Sequence, residues 1–163
     1  MQLQTILNQV EPFKSFVYRK VRWGLADDDR PVLEVLLEPR ANGRALCSGC
    51  GSAAAGYDRL AQRRFEFVPV WGIAVFFLYS MRRVECPRCG VTVEQVPWCD
   101  GKHSLTTTYR WFLAGWAQRL SWKGVADAFH TTWQNVFRSV KHAVSWGLMH
   151  RDLSGIESLG VDE

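Results

Sequence analysis

Apolar positions change their period along the chain, and the change divides it. Leu3, Ile6, Leu7 and Val10 recur at three and four residues, which predicts a short helix. Phe13 to Trp23 is mixed, and Val32 to Leu37 reads as a strand. Between them Asp27-Asp28-Asp29 before Pro31 is a turn, a solvated loop rather than a metal site. Arg64 to Val68 and Ile73 to Val84 read as two strands, the second rich in aromatic and β-branched residues, with Trp71-Gly72 as the turn between them. From Leu105 the helical spacing returns. Leu105, Tyr109, Phe112, Leu113, Trp116 and Leu120 make one apolar face, a core face, and Thr106 or Thr107 caps its start.

The stretch LSWKGVADAFHTTWQNVFRSVKHAV has a finer pattern. Ser121 caps a short helix running to Phe129, with Val125, Ala126 and Phe129 inward. His130-Thr131-Thr132 makes a turn. Thr132 caps a second helix from Trp133 to roughly Trp146, with Val136, Val140 and Val144 as its inner stripe and Gly147 as its stop. This is the layout of a helix-turn-helix. A small residue, Ala126, stands where the helices touch, and Val136 faces it. His130 occupies the place where glycine is usual, at a cost of about 1 kcal/mol for a left-handed conformation. Helical hairpins that bind no DNA share this pattern.

Four of the five cysteines form two Cys-x-x-Cys pairs, Cys47/Cys50 in CSGCG and Cys86/Cys89 in CPRCG. Two intervening residues let one tight turn aim both sulfurs at one ion, and Gly51 and Gly90 suit the positive φ that ends such a turn. Two pairs supply the four soft ligands of a tetrahedral zinc ion. A site closed by four cysteines has no open position, so the zinc is expected to hold the fold and do no chemistry. The 35 residues between the pairs hold the predicted hairpin, which would bring the knuckles together. Cys99 is expected to be a small buried side chain; His103 is near, but a second metal site needs more ligands.

The fold class expected is therefore α+β: a zinc-ribbon-like β module with a four-cysteine zinc site over residues 1–98, then an all-α helix-turn-helix module over 99–150, then 151–163. The chain of 163 residues has room for one domain or two small ones, and 47% apolar with 22% charged residues is globular composition. The longest apolar run, Gly72 to Tyr79, is far short of the roughly 20 residues of a membrane span. With no basic start and apolar run of a signal peptide, a cytoplasmic location and no membrane partner are expected.

The net charge of +4 is unevenly spread. Residues 40–90 carry eight basic against three acidic side chains, and 102–151 carry seven against one, Asp127. The second block suits an anionic partner. With Val136 and Val140 inside, Gln134, Asn135, Arg138 and Lys141 lie outside or at the margin. Glutamine and asparagine pair with adenine edges and arginine with guanine. Lys141 and Lys123 suit phosphate contacts. Trp133 suits either a thymine methyl or packing on the preceding helix, and Phe137 falls on the outer side. Arg63, Arg64, Arg82 and Arg83 are candidate backbone contacts, with a solvated strand face as the alternative.

These parts together resemble the N-terminal region of bacterial insertion-sequence transposases of the ISL-three family. The resemblance runs from about Phe16 to the last residue through CSGCG, GYDRL, RRFEFVPVWG, RRVECPRCG, VEQVPWCDGKHSLT, LSWKGVADAF and SLGVDE. Cys99 departs from the small residue, such as alanine, expected there. The resemblance implies recognition of double-stranded DNA at the element's terminal inverted repeats by the zinc region and helix-turn-helix. It also implies a following ribonuclease-H-like domain with a DDE triad, whose three carboxylates hold Mg²⁺ in the full-length enzyme. It makes residues 151–163 a linker and the first strand of that domain, truncated here, and puts the first catalytic aspartate at Asp162 in that strand. Without the other two carboxylates the chain is expected to be no enzyme by itself. Two other readings stay open: a stand-alone helix-turn-helix regulator, and a zinc-stabilised protein-interaction module for transposase assembly. A homodimer is compatible with all three.

Overall fold

A computed structural model describes residues 2–152 and Ser154. Contacts divide the chain into two compact units, one ending at Phe112 and the next beginning at Leu113.

In the first unit α1 (Leu3–Val10) is followed by β1 (Phe16–Leu25), β2 (Pro31–Pro39), β3 (Ala55–Val70), β4 (Ile73–Cys86) and β5 (Gly90–Val93). The strands form one mixed sheet in the order β1-β2-β4-β3, with β5 also on β4. β1 and β2 are antiparallel around the aspartate turn, where Asp29 takes φ 61°. β3 and β4 are antiparallel around Trp71-Gly72, whose φ values of 52° and 78° match a two-residue hairpin turn. β2 runs parallel to β4 from Leu33/Val75 to Leu36/Leu78, and β5 pairs with the far end of β4 from Arg83 to Cys86. β4 is thus paired on both edges, which explains its nearly continuous run of bulky residues.

β3 starts at Ala55, well before Arg64, where apolar alternation begins. Its first eight residues are all exposed, so no buried face marks them. They are held by the ladder to β4, Ala55 opposite Glu85 and Arg59 opposite Arg82.

The core is aromatic. Trp98 is 1% exposed and packs within 4.8–6.0 Å of the rings of Phe13, Phe16, Phe65 and Tyr79. Phe77 stacks on Phe67 at 4.6 Å. Leu7 anchors α1 in the same core, and Cys99 is buried there, as the sequence suggested. The Cys99 thiol donates to the His103 carbonyl at 3.0 Å. Truncating a core aromatic such as Phe77 to alanine costs about 3–5 kcal/mol. A second, smaller cluster of Ala45, Cys47, Val84 and Cys86 lies where the knuckles meet the end of β4.

After the sheet, Leu105 bridges Glu66 in parallel, and Thr106 closes the connection. Its hydroxyl donates to the Glu66 carbonyl at 3.0 Å and accepts from the Tyr109 amide at 3.2 Å, so Thr106 is the cap of α2 (Thr107–Trp116).

The second unit holds α3 (Trp122–Ala128) and α4 (Trp133–His150). Ser121 and Thr132 cap them as expected, accepting from the amides of Gly124 at 3.1 Å and Asn135 at 3.2 Å. α4 does not stop at Gly147 but continues to His150, whose Nδ1 lies 2.8 Å from the Trp146 carbonyl. One glycine in a helix costs only about 1 kcal/mol, which the surrounding turns outweigh. Val136 is fully buried, but Val144 is 55% exposed, so the inner stripe ends before the helix does.

Candidate metal centre and nucleic-acid interface

The metal centre follows from two short turns. In the first, the Cys47 amide donates to the Ser52 carbonyl and the Gly51 amide to the Cys47 carbonyl, each at 2.8 Å. In the second, β4 ends at Cys86 and the Cys86/Gly90 pair starts β5. Gly51 and Gly90 both take φ 70°, the left-handed conformation the motif calls for. Cys47 also bridges Glu94, and the Ser48 amide donates to the Val93 carbonyl at 3.2 Å, which clamps the knuckles together.

The four sulfurs lie within 4.8 Å of one another, and Cys50 Sγ is 3.6 Å from Cys86 Sγ. Tetrahedral thiolates at about 2.3 Å from zinc are about 3.8 Å apart, so the set fits a metal such as zinc. Cys47 and Cys86 are buried, Cys50 is half-buried and Cys89 is exposed. The Ser52 amide and hydroxyl, then Arg88 and Cys86, pull the Cys50 thiol down to about 5. Hydrogen bonding to Cys50 and Cys47 pushes the Cys89 thiol up to about 12. Arg88, which donates to Ser52 Oγ at 2.9 Å, is a contributor that spacing alone did not mark. Its place inside CPRCG was the available signal.

The four candidate arginines of β3 and β4 are engaged within the protein. Arg82 is the most committed: its guanidinium meets Glu94 at 2.6 and 2.8 Å, with side-chain exposures of 15% and 0%. Arg83 pairs with Asp58, and Arg64 with Glu34 at 2.9 Å while lying over the Phe76 ring. Arg63 donates to the carbonyls of Lys102 and His103 at 3.3 and 3.2 Å and lies over Phe65.

In the second unit the turn between α3 and α4 has defined geometry. His130 takes φ 52°, the left-handed position read from the sequence, and the Thr131 amide reaches back to the Ala126 carbonyl at 3.0 Å. That is the long bond of a Schellman motif. Ala126 and Val136 are both buried. Gln134, Arg138, Lys141 and Lys123 are exposed, as is Trp133 at 53%. Asn135 is half-buried and donates from Nδ2 to Thr131 Oγ1 at 3.0 Å, which ties it to the turn. Phe137 lies 5.4 Å from the Trp122 ring, giving this outward residue a place across the two helices. Asp162 and the motif SLGVDE lie outside the described residues. Among the described residues no helix is long and apolar enough to cross a membrane.

The fold and the cluster define an α+β protein whose mixed sheet carries a four-cysteine site, followed by C-terminal helices. It is related to transposases. Over 131 residues it is 29% identical to the transposase for insertion sequence element IS1557 of Mycobacterium tuberculosis, in strains CDC 1551 / Oshkosh and ATCC 25618 / H37Rv. The alignment covers 78% of this chain and 29% of each relative, so the chain spans less than a third of the length of the curated relatives it matches. No family model and no solved structure matches the chain.

Proposed function

We propose that this chain is the DNA-recognition part of an insertion-sequence transposase of the ISL-three kind, binding double-stranded DNA at the element's terminal inverted repeats. The observation that carries the reading is the α3–turn–α4 unit. Capped helices, a left-handed turn residue and the buried Ala126 and Val136 fix its geometry, while Gln134 and Arg138 stand exposed near the start of α4. Recognition helices contact base edges from their N-terminal residues. In this reading Gln134 and Arg138 read bases, Lys123 and Lys141 contact phosphates, and Trp133 contacts a thymine methyl. Asn135 has a second role, fixing the turn through Thr131. Zinc on Cys47, Cys50, Cys86 and Cys89 is structural: it holds the two knuckles against β4 and β5 and leaves no open position for chemistry. Asp162 would serve only with the other carboxylates of a full-length, Mg²⁺-dependent enzyme.

The test is mutational. Arg138→Ala weakens binding to the correct terminal repeat by about 1–3 kcal/mol and relaxes specificity at one position. An equal loss on every sequence reassigns Arg138 to phosphate. Unchanged binding removes it from the interface.

One observation favours a second reading, an assembly module. α4 exposes Val144, Leu148 and Met149 at 55–75% in its later turns, beyond the part used for base contacts. Mass that rises with concentration, with no salt-sensitive affinity for DNA, would favour it.

A further inference from the structure

Ion pairing sorts the basic side chains of the sheet unit. Six arginines, Arg19, Arg22, Arg30, Arg64, Arg82 and Arg83, each meet a carboxylate. Lys14, Lys20, Arg40, Arg44, Arg59 and Lys102 are exposed and meet no carboxylate among the described residues. Of these, Lys14, Arg40 and Arg44 converge on one place. Two hollows, of about 310 and about 320 Å³, share Lys14, Ser15, Arg44 and Leu46 in their walls, and Arg40 lines the second. Glu94 also lines the first hollow, but its charge is cancelled by Arg82. The cleft therefore keeps three positive charges.

The cleft is built, not a chance meeting of flexible side chains. The Arg40 amide donates to the Ser15 carbonyl at 2.9 Å, and the Gly43 amide to the Arg40 carbonyl at 2.8 Å. This tight turn lays residues 40–43 on the start of β1. A Cβ at Gly43 would lie 2.9 Å from the Ser15 carbonyl oxygen and 3.0 Å from that of Arg40, so only glycine allows the approach. Arg82 donates to the Gly43 carbonyl at 3.3 Å, and the Gln95 amide to the Leu46 carbonyl at 2.7 Å. Arg44 and Leu46 lead directly into Cys47, so the first knuckle anchors the same segment.

We infer that this cleft is a phosphate seat of the sheet unit, in which Lys14, Arg40 and Arg44 hold the sugar-phosphate backbone of DNA. The inference rests on the DNA-binding reading above and assigns the backbone contacts of the sheet unit to different side chains. Arg63, Arg64, Arg82 and Arg83 already have acceptors, and a phosphate would have to displace them. Lys14, Arg40 and Arg44 lose only water when a phosphate arrives. Pro12, Phe13 and Pro97 give the first hollow an apolar wall against which a deoxyribose can lie.

The experiment uses the full chain loaded with zinc and a fluorescein-labelled duplex of mixed sequence, titrated at several salt concentrations. Three variants are compared with the parent: Lys14→Gln/Arg40→Gln/Arg44→Gln in the cleft, Arg19→Gln/Arg22→Gln/Arg30→Gln with the same loss of charge elsewhere on the unit, and Arg138→Gln/Lys141→Gln in α4. Equal zinc content and melting temperature establish that each is folded. The cleft variant is expected to lower the slope of log K against log salt by up to about 2.7, three phosphates at about 0.9 each. The paired-arginine variant is expected to lower it far less. Equal losses in those two variants, or an unchanged slope in the cleft variant beside a reduced one in the α4 variant, overturn the cleft while DNA binding stands. No salt-dependent binding by the parent chain overturns the DNA reading itself, and the cleft with it.

Discussion

Replacing Glu94 by glutamine tests the account of the sheet unit most sharply. The Glu94 side chain has no exposure and accepts four hydrogen bonds. Tyr79 OH donates at 2.6 Å, the Arg82 amide at 2.7 Å, and the Arg82 guanidinium at 2.8 and 2.6 Å. Glutamine keeps the shape but has one acceptor oxygen. If that oxygen serves Tyr79 and the Arg82 amide, its NH₂ group faces the guanidinium, donor against donor. Arg82, with 15% side-chain exposure, then holds a charge that water reaches poorly. Removing one partner of such a pair costs about 3–5 kcal/mol. A whole domain has roughly 5–15 kcal/mol of stability, so the variant is marginal. Urea unfolding followed by tryptophan fluorescence should show a much lower midpoint with an unchanged slope. Removing both charges, with Arg82→Met and Glu94→Leu, relieves the unpaired charge but leaves the Tyr79 hydroxyl and the residue-82 amide without an acceptor, at about 1–3 kcal/mol each, so the double variant is not expected to regain parental stability. A loss below about 1 kcal/mol for Glu94→Gln alone would refute the reasoning. The double variant also separates two roles of Arg82: its duplex affinity should keep the parental salt dependence, because Arg82 is occupied by Glu94.

Three further outcomes follow. Burial pushes the Glu66 carboxyl from 4.5 up to about 7, against the hydrogen bond from Tyr109 that lowers it. The folded state therefore holds this proton more tightly than the unfolded state, and its contribution is complete below about pH 4.5 and lost as pH rises to about 7, by up to about 3 kcal/mol. Glu66→Gln should flatten that window, and urea midpoints at its two ends that keep the parental difference would contradict the assignment. His130→Gly should raise thermal stability by about 0.5–1 kcal/mol, since glycine takes the left-handed φ of 52° without a Cβ penalty; a lower melting temperature would show that the imidazole has another task. Chelating the metal should loosen the knuckles first. Hydrogen exchange should then speed up at the amides of Cys47, Gly51 and Gln95 before those of β2, and simultaneous loss everywhere would mean that the sheet depends on the metal as a whole.

Signals confined to a few adjacent residues were legible in the sequence. The two knuckles, the Trp71-Gly72 turn, the caps at Ser121 and Thr132 and the left-handed His130 depend on local chemistry, and the structure has each of them. α1 was readable because one face, anchored by Leu7, enters the core. What depended on distant partners was not legible. The parallel pairing of β2 with β4 leaves no local mark, and the exposed first half of β3 has no alternation to detect. Gly147 looked like a stop because glycine often ends helices, yet it lies within α4. The arginines of β3 and β4 looked available because their partners, Glu34, Asp58 and Glu94, lie on other segments or far along the chain. The same blindness hid Lys14, Arg40 and Arg44, which are brought together only when residues 40–43 fold back on Ser15.

The central claim is specific recognition of a DNA end, and one titration tests it most directly. The zinc-loaded chain is titrated with the duplex that flanks its own gene and, separately, with a scrambled duplex of equal length, each at two salt concentrations. The account predicts tighter binding to the flanking end at both salts, with the preference reduced by changes at Gln134 and Arg138. Equal, strongly salt-dependent affinity for the two duplexes would contradict it.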